Sequence, residues 1–402
     1  MSSIETLVEF TILMPCLNEA ETVERCIETA RRGLARAGVE GEIIVADNGS
    51  TDGSAEIASR SGARVEFVKE RGYGSVLRGG MRSARGRYII MGDADGSYDF
   101  SEIGGFVDLL RGGSEIVMGC RFPKGGGTIR PGAMPWKNRR IGNPLISWLG
   151  RRLFRIKIHD FNCGLRGISA DAFRKLDLRT TGMEFASEMV IKSSFLGFKI
   201  AEVPITLSKA GRSRPPHLKP WRDGWRHLRF MLMYSPFRLF LAPGLAFFLS
   251  GLLGLAATLP GPLRLGRVIL DVGTMIVSSM FVILGFQLVA QAFYAKVFAV
   301  GEGLLPGDPR FARLFKYWNL EKGIVLGLAL IVAGGIPVVG AAVGWIKADF
   351  GPLNPGVHLR KLIVGAILLV LGFQSIFASF HLSILGIRAE GRTPPEIPYD
   401  GL

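Results

Sequence analysis

Short clusters of acidic and small residues follow three of the β-rich runs early in the chain, and their residue types could do chemistry. They occupy segments 15–19, 47–53 and 93–99, and each could also be only a helix cap or a turn. Carboxylates at one rim of a sheet repel one another, so a shared ligand would offset the repulsion. The Asp-x-Asp pair Asp93 and Asp95 suits a hard divalent cation that bridges two phosphates.

The elements that must position these clusters alternate between strand and helix. The predicted strands cover 10–14, 42–47, 64–69, 88–93 and 115–120, and the predicted helices cover 21–37, 54–61, 75–84 and 102–110. This alternation predicts an α/β fold with a largely parallel sheet. Ligands of such sheets lie at the carboxyl ends of the strands, where the three clusters fall.

Other nucleotide sites of α/β proteins do not match. A dinucleotide site needs GxGxxG after the first strand, and this chain has segment 15–19 there instead. Gly72 and Gly74 follow the third strand but do not complete that spacing, and no Walker P-loop is present.

The second half of the chain has a different composition. Four long apolar runs, 239–259, 268–292, 323–346 and 362–387, are each long enough to span a bilayer. Four spans place the segment before the first span and the segment after the last span on the same side of the membrane. The flanking segments on that side carry 12 Lys and Arg, against five in the alternate loops, which predicts a cytoplasmic head. Buried helices of a soluble protein are the less favoured alternative.

Net charge and cysteine content narrow the partners. The formal net charge is +15, which with membrane spans favours anionic lipids and phosphorylated substrates over nucleic acid. Four cysteines without a CxxC pair predict a reduced compartment and no structural zinc. No secretory signal is visible at the start.

Basic and aromatic residues alternate in 138–158 and 221–240, which predicts interfacial helices, or else ordinary solvated helix faces.

The three rim motifs, in this order, resemble those of family 2 glycosyltransferases of the GT-A fold. Further matching segments, which resemble the dolichyl-phosphate mannose and glucose synthases, are Gly119-Cys-Arg121-Phe, the Gly125–Gly127 loop, Trp136 with Arg139 and Arg140, Asp160 to Arg166, and Met183 to Glu188. The resemblance covers roughly residues 8–215. It implies a GT-A catalytic domain over 1–218. The composition adds an interfacial helix over 219–238 and a four-helix transmembrane domain over 239–402.

The resemblance also implies residue roles. Nucleotide binding falls to Pro15, Asn18, Glu19, Asp47, Gly49 and Ser50. Asp93 and Asp95 would bind Mg²⁺ or Mn²⁺ and, with Arg121, form the catalytic group. The acceptor phosphate or donor diphosphate would meet Arg139, Arg140, Arg166, Arg212 and Arg214. Glu184 and Glu188 would contact sugar hydroxyls, or supply a base if the acceptor is neutral. Ser97 stands where relatives often have a stronger metal ligand.

A lipid phosphate is the favoured acceptor on chemical grounds. A sugar hydroxyl needs a general base, whereas a phosphate monoester is already anionic near neutral pH and needs only positioning by arginines. The resemblance, together with this argument, predicts as partners a UDP- or GDP-hexose, with glucose or mannose as the sugar, and a polyprenyl or dolichyl phosphate. A direct displacement at the anomeric carbon would invert its configuration.

Two other functions are weighed. A processive polysaccharide synthase has a similar head but grips its chain with a Gln-x-x-Arg-Trp segment, and the first glutamine here is Gln287. A non-catalytic membrane protein with a transferase-like head is disfavoured by the intact Asp47, Asp93 and Asp95. The donor base, the sugar, the lipid length and the oligomeric state, homo-oligomer included, stay open.

Overall fold

The computed structural model describes residues 8–214, 220–301, 305, 320–352 and 355–390. The chain forms two compact units, residues 1–233 and 234–402. Each is described by itself below.

A seven-stranded mixed sheet forms the centre of the first unit, in the order β3-β2-β1-β4-β7-β5-β8. These strands are β1 Phe10–Cys16, β2 Gly41–Asp47, β3 Arg64–Phe67, β4 Tyr88–Met91, β5 Ile116–Cys120, β7 Arg166–Ser169 and β8 Ile200–Pro204. The first four run parallel, and β5 is parallel to β8. Strand β7 is antiparallel to both of its neighbours. The five predicted strands are therefore present, and the predicted α/β fold is confirmed.

Helices cover the sheet. In the first unit they are α1 Val23–Arg36, α2 Ser54–Arg60, α3 Tyr73–Ser83, α4 Gly104–Arg111, α5 Asn143–Phe154, α6 Ala170–Leu176, α7 Phe185–Phe195 and α8 Pro220–Met233. Strand β1 is buried on both faces: Ile12, Leu13 and Met14 have no exposed surface. Helix α1 buries Val23, Ile27 and related positions at helical spacing, which anchors it to the sheet.

A two-stranded ribbon lies beside the third acidic cluster. Strands β6 Thr128–Ile129 and β9 Thr206–Leu207 pair in parallel. Leu207 also forms an isolated bridge with Tyr98. This bridge brings the chain after β9, which contains the basic run 209–214, alongside the turn after β4.

The second unit contains four helices long and apolar enough to cross a membrane. They are α9 Pro236–Thr258, α10 Val272–Gly301, α11 Leu320–Lys347 and α12 Pro355–Glu390. A short hairpin, β10 Leu263–Leu265 and β11 Val268–Leu270, joins α9 to α10. Glycines set the approach of α11 to α12: a Cβ on Gly334 would lie 2.7 Å from Gly365 O, and one on Gly372 would lie 2.7 Å from Gly327 O. Small residues at such crossings let helix backbones pack closely in lipid.

Neither of the two stretches predicted as interfacial helices is a single regular α-helix. Segment 221–240 is divided between α8 and α9, with Ser235 preceding Pro236 at the start of α9. Proline is favoured in that first turn because its missing N–H has no helical partner. Segment 138–158 begins with a π-helical turn, Asn138–Gly142, before α5.

Candidate active site

The first two acidic clusters meet at the carboxyl ends of β1 and β2. The strands pair in parallel with Cys16 opposite Asp47, so the two following loops leave the sheet side by side. The backbone N–H of Asn18 donates to Ser50 Oγ (2.9 Å), and Thr51 N–H donates to Asn18 Oδ1 (2.8 Å). Asn18 adopts a positive φ of 59°, which asparagine tolerates better than most residues. Pro15, in β1 opposite Ala46, and Gly49, within the second loop, complete the predicted nucleotide set.

Asp47 has one engaged and one unengaged carboxylate oxygen. Its Oδ2 accepts from the N–H groups of Gly49 (2.9 Å) and Ser50 (3.0 Å). Its Oδ1 is buried and has no hydrogen-bond partner among the described residues. Since the residue is only 2% exposed, the unpaired oxygen is a costly feature unless a ligand satisfies it.

Asp93 and Asp95 follow β4 and are electrostatically coupled. Desolvation, together with the negative charge of Asp95, raises the pKa of Asp93 to about 7. The Tyr73 hydroxyl donates to Asp93 Oδ1 (3.1 Å) and partly offsets that rise. Asp95 Oδ1 accepts from Ser97 N–H (2.9 Å). Because the charge of Asp95 disfavours ionisation of Asp93, positive charge is favoured beside this pair.

The basic run after β9 supplies positive charge at this position. The guanidinium of Arg212 contacts Glu19 Oε1 (2.5 Å) and Asp95 Oδ2 (3.2 Å), so it bridges the first and third clusters. Arg214 also contacts Glu19 Oε1 (2.6 Å) and donates to the carbonyl oxygen of Asn18 (2.8 Å). The N–H of Gly211 donates to Asp95 O (2.8 Å), which fixes the run against the turn.

Arg121 is buried in a bidentate ion pair with Asp160. Its Nε and Nη2 lie 2.6 and 2.9 Å from the two carboxylate oxygens of Asp160. Asp160 also accepts from the backbone N–H of Arg121 (3.1 Å), so the pair is rigidly held. Nη1 forms no hydrogen bond with the residues described, and it is the atom that Arg121 can offer to a ligand.

Arg166 and Glu188 have protein partners where sequence reasoning expected substrate. Arg166 is 2% exposed and donates to the carbonyl oxygens of Cys163, Ala186 and Phe161. Glu188 is 1% exposed, accepts from both Thr180 N–H and its hydroxyl, and pairs with Lys192. Both side chains are therefore engaged with protein groups and link neighbouring segments of the first unit.

Three other predicted site residues, Glu184, Arg139 and Arg140, are not fully engaged by protein partners in the way that Arg166 and Glu188 are. Glu184 Oε2 is buried without a partner among the described residues and can accept a hydrogen bond from a ligand. Arg139 and Arg140 lie in the π-helical turn, where Arg140 is exposed. No described contact joins either arginine to any of the three acidic clusters.

Sequence reasoning missed two tyrosines and one aspartate of this region. Tyr73 contacts Asp93, and Tyr98 accepts a hydrogen bond from Gly164 N–H (3.0 Å). Asp160 anchors Arg121. Each lies within a motif that the sequence singled out, yet only the fold shows which side chain it meets.

Comparisons with known proteins identify the family of the chain. The family model "Glycosyl transferase family 2" matches residues 11–177, and "Glycosyltransferase family 2 C-terminal transmembrane region" matches residues 293–386. A low-salt glycan biosynthesis hexosyltransferase, Agl6 of Haloferax volcanii, is 34% identical over 379 residues, 94% of this chain and 89% of that protein. A dolichyl-phosphate hexose transferase of the same organism is 30% identical over 183 residues, 45% of this chain and 75% of that protein.

Solved structures resemble the first unit at low identity. Glucosyl-3-phosphoglycerate synthase from Mycobacterium tuberculosis, in complex with Mn²⁺, UDP and glucosyl-3-phosphoglycerate, is 23% identical with a TM-score of 0.43, covering 56% of this chain and 79% of that one. Because a full-length relative shares a third of its residues and both halves match family models, the chain belongs to glycosyltransferase family 2, as a membrane glycosyltransferase with a GT-A-like head and four spans.

Proposed function

We propose that the protein transfers a hexose from a uridine diphosphate sugar to a polyprenyl or dolichyl phosphate, with a divalent cation and with inversion at the anomeric carbon. The unpaired, buried Oδ1 of Asp47, at the same sheet edge as Asp93 and Asp95, is the observation on which this proposal depends.

The base is the first element of the proposal. Gly49 and Ser50 already occupy the lone pairs of Asp47 Oδ2, so Asp47 offers one oxygen to a ligand. Uracil presents one ring N–H beside its carbonyl groups, whereas guanine presents a ring N–H and an amino group that a carboxylate binds best with two oxygens. A single available acceptor therefore favours uridine over guanosine.

The cation is the second element. Among the described residues, no three His, Cys, Asp or Glu side chains cluster to hold a metal, so the protein would supply Asp93 and Asp95 alone. Mg²⁺ and Mn²⁺ are suited to one or two carboxylates plus substrate phosphates. The raised pKa of Asp93 fits this role, because a cation would offset the repulsion between the two carboxylates. Bound there, it would neutralise charge on the departing diphosphate.

The acceptor is the third element. The guanidiniums of Arg212 and Arg214 lie at the acidic rim, and Arg121 has Nη1 available. Arginines can grip a phosphate at two oxygens and so orient it. The similarity to a dolichyl-phosphate hexose transferase supports a lipid phosphate, and four apolar helices suit an enzyme that acts on a lipid.

The reaction follows from these positions. An acceptor phosphate oxygen forms a bond to the anomeric carbon as the bond from that carbon to the donor diphosphate breaks, and the diphosphate leaves with the electron pair. The acceptor needs no general base because it is already ionised. Glu184 can orient a sugar hydroxyl through its unpaired Oε2. Positioning and electrostatics supply most of the rate.

The location of the reaction completes the proposal. We place the catalytic head, residues 1–218, in the cytoplasm, because Lys and Arg are concentrated in the segments on its side of the four spans. Segment 219–238 would lie at the membrane surface, before the transmembrane domain 239–402.

The proposal is tested by measuring sugar transfer to a lipid phosphate in membranes that contain the protein. Labelled UDP-glucose, UDP-mannose, GDP-mannose and GDP-glucose are each offered with a short polyprenyl phosphate and Mg²⁺ or Mn²⁺. We expect a lipid-linked phosphosugar from a uridine donor, abolished by EDTA and by Asp95→Asn. Asp108→Asn, an exposed carboxylate on α4, is the matched control and should retain activity. Transfer only from guanosine donors refutes the base assignment, and no transfer from any donor refutes the activity.

A further inference from the structure

A polar cavity of about 260 Å³ lies in the first unit beside the turn that follows Asp95. Helix α1, the turn 96–99 and the β6–β9 ribbon form its walls. Its lining includes Arg25, Arg32, Tyr98, Arg130, Thr206 and Ser208. None of the residues assigned above to donor, cation or acceptor lines it, so among the described residues it is a separate site.

Positive charge predominates in this cavity. Arg25 and Arg32 are seven residues apart and therefore lie on one face of α1, and Arg130 approaches from the end of β6. Asp99 and Glu102 also line the cavity, which leaves an excess of one positive charge. Within the described parts of the chain, none of the three guanidiniums forms an ion pair with a carboxylate, so their donors remain available to a ligand.

The neutral groups also favour an acceptor-rich ligand. Thr206 and Ser208, which carry hydroxyl groups, also line the cavity. Its volume of about 260 Å³ accommodates a phosphate group with part of its substituent. Guanidiniums bind phosphate oxygens in pairs, so two or three arginines around such a volume match a phosphate closely.

We propose that this cavity binds a phosphate group, carried either by a free phosphate or by a phospholipid headgroup. The segment that contains Ser208 is hydrogen-bonded to the turn after β4: Ser208 N–H donates to Ser97 O (2.9 Å), and Gly211 N–H donates to Asp95 O (2.8 Å). A ligand on Ser208 therefore stabilises the segment that carries Arg212. The proposal requires only the geometry of the cavity and holds whatever the donor or acceptor proves to be.

The experiment measures ligand-dependent stability of the full chain in detergent. The thermal midpoint is followed against inorganic phosphate, with NaCl matched for ionic strength, because a ligand that binds the folded state raises it in a concentration-dependent way. We expect saturable stabilisation of the parent. The double variant Arg25→Gln/Arg32→Gln should weaken the apparent phosphate affinity at least tenfold, on the scale of about a factor of ten for each lost charge-assisted contact.

A second arm identifies the source of the phosphate. Mixed micelles containing phosphatidylglycerol are compared with micelles containing phosphatidylcholine. Stabilisation by inorganic phosphate alone assigns a free phosphate, and stabilisation by phosphatidylglycerol alone assigns a headgroup. Either result supports the proposal only if it is lost in Arg25→Gln/Arg32→Gln.

The controls make the result specific. Arg36→Gln removes an arginine from the same helix that does not line the cavity, and it should respond as the parent does. Arg130→Gln tests the opposite wall if the double variant is poorly folded. Equal stabilisation of all variants, as expected if phosphate binds only near Arg212, overturns the proposal, as does the absence of stabilisation by both ligands.

Discussion

Asp47 closes a turn in the structure and, in the proposed function, also binds the nucleotide base. Its Oδ2 closes the turn after β2 through Gly49 and Ser50, while its Oδ1 stays buried and unpaired. Replacing the carboxylate by an amide removes the charge and turns one of its two oxygens into an NH₂ donor. That donor then faces either the N–H groups of the turn or the ligand, both of which need an acceptor. Asp47→Asn should therefore raise the KM for the nucleotide sugar about tenfold to hundredfold, on the scale of a hydrogen bond to a charged group.

Steady-state kinetics with varied donor at saturating acceptor checks this prediction. The kcat should fall much less than kcat/KM, because Asp47 is assigned to binding and not to the reacting atoms. Glu56→Gln, an exposed carboxylate on the neighbouring α2, is the matched control. An unchanged KM in Asp47→Asn would remove Asp47 from the donor site.

His227 on α8 links stability of the head to pH. Burial lowers the pKa of His227 to about 4, and its Nδ1 lies 2.7 Å from Ser187 Oγ. The unfolded chain binds this proton below about pH 6.5, whereas the folded chain resists it down to about pH 4. Stability is therefore fully present above pH 6.5 and lost as the pH falls. About 2 kcal/mol should be lost from this site between pH 7 and pH 5.

Urea unfolding in detergent at pH 7 and pH 5 measures that loss. His227→Asn is the informative variant, because its side-chain amide can keep a hydrogen bond with Ser187 but cannot titrate. Its stability should depend less on pH than that of the parent by the same amount. If parent and variant lose equal stability on acidification, His227 does not carry the proposed linkage.

Residue chemistry was predictable from the sequence where function required side chains to follow strands. Asp47, Asp93 and Asp95 follow β2 and β4, which is visible in the sequence, and the fold brings them to one edge. The surroundings of Arg166 and Glu188 were not predictable. Arg166 meets backbone carbonyls that include one in α7, and Glu188 meets both backbone and side-chain groups. The sequence does not reveal which of these groups the fold brings together.

At the scale of elements, hydrophobic patterning predicted the first five strands and their connecting helices, but not β7. That strand, Arg166–Ser169, has only four residues and inserts between β4 and β5 in the antiparallel direction. The two-residue strands β6 and β9 are too short to leave a periodic signal. These elements owe their conformation to tertiary hydrogen bonds, which local patterns do not encode.

Helices α11 and α12 offer a test of glycine packing in the membrane unit. A Cβ at Gly334 would lie 2.7 Å from Gly365 O, a distance that forces the helices apart, whereas one at Gly335 meets nothing within 4 Å. Gly334→Leu should destabilise the unit by about 1–3 kcal/mol, as expected for overpacking.

The matched variant is Gly335→Leu, one residue along the same helix, which should remain close to the parent. Thermal unfolding in detergent, read as the temperature at which half of the protein aggregates, compares the two. Equal loss in both would show that helix propensity and not close packing governs this position.

At the scale of the whole molecule, composition alone separated a charged first part from an apolar second part, and the four spans match helices in the structure. Helix α9 starts at Pro236, three residues before the predicted span. Helix ends depend on residues such as an N-terminal proline, which a hydropathy pattern does not register. Hydropathy reports how much of a chain suits lipid, and the charges of the loops report which side each end faces.

Orientation is the remaining property of the whole molecule that can be tested directly. With the head in the cytoplasm, the hairpin β10–β11 between α9 and α10 must face the opposite side of the membrane. All four native cysteines are buried, so a single introduced cysteine can be labelled selectively. Arg264→Cys in the hairpin should react with a membrane-impermeant maleimide in intact cells. Arg36→Cys, exposed on α1 of the head, should react only after the membrane is permeabilised, and the reverse pattern would place the head outside.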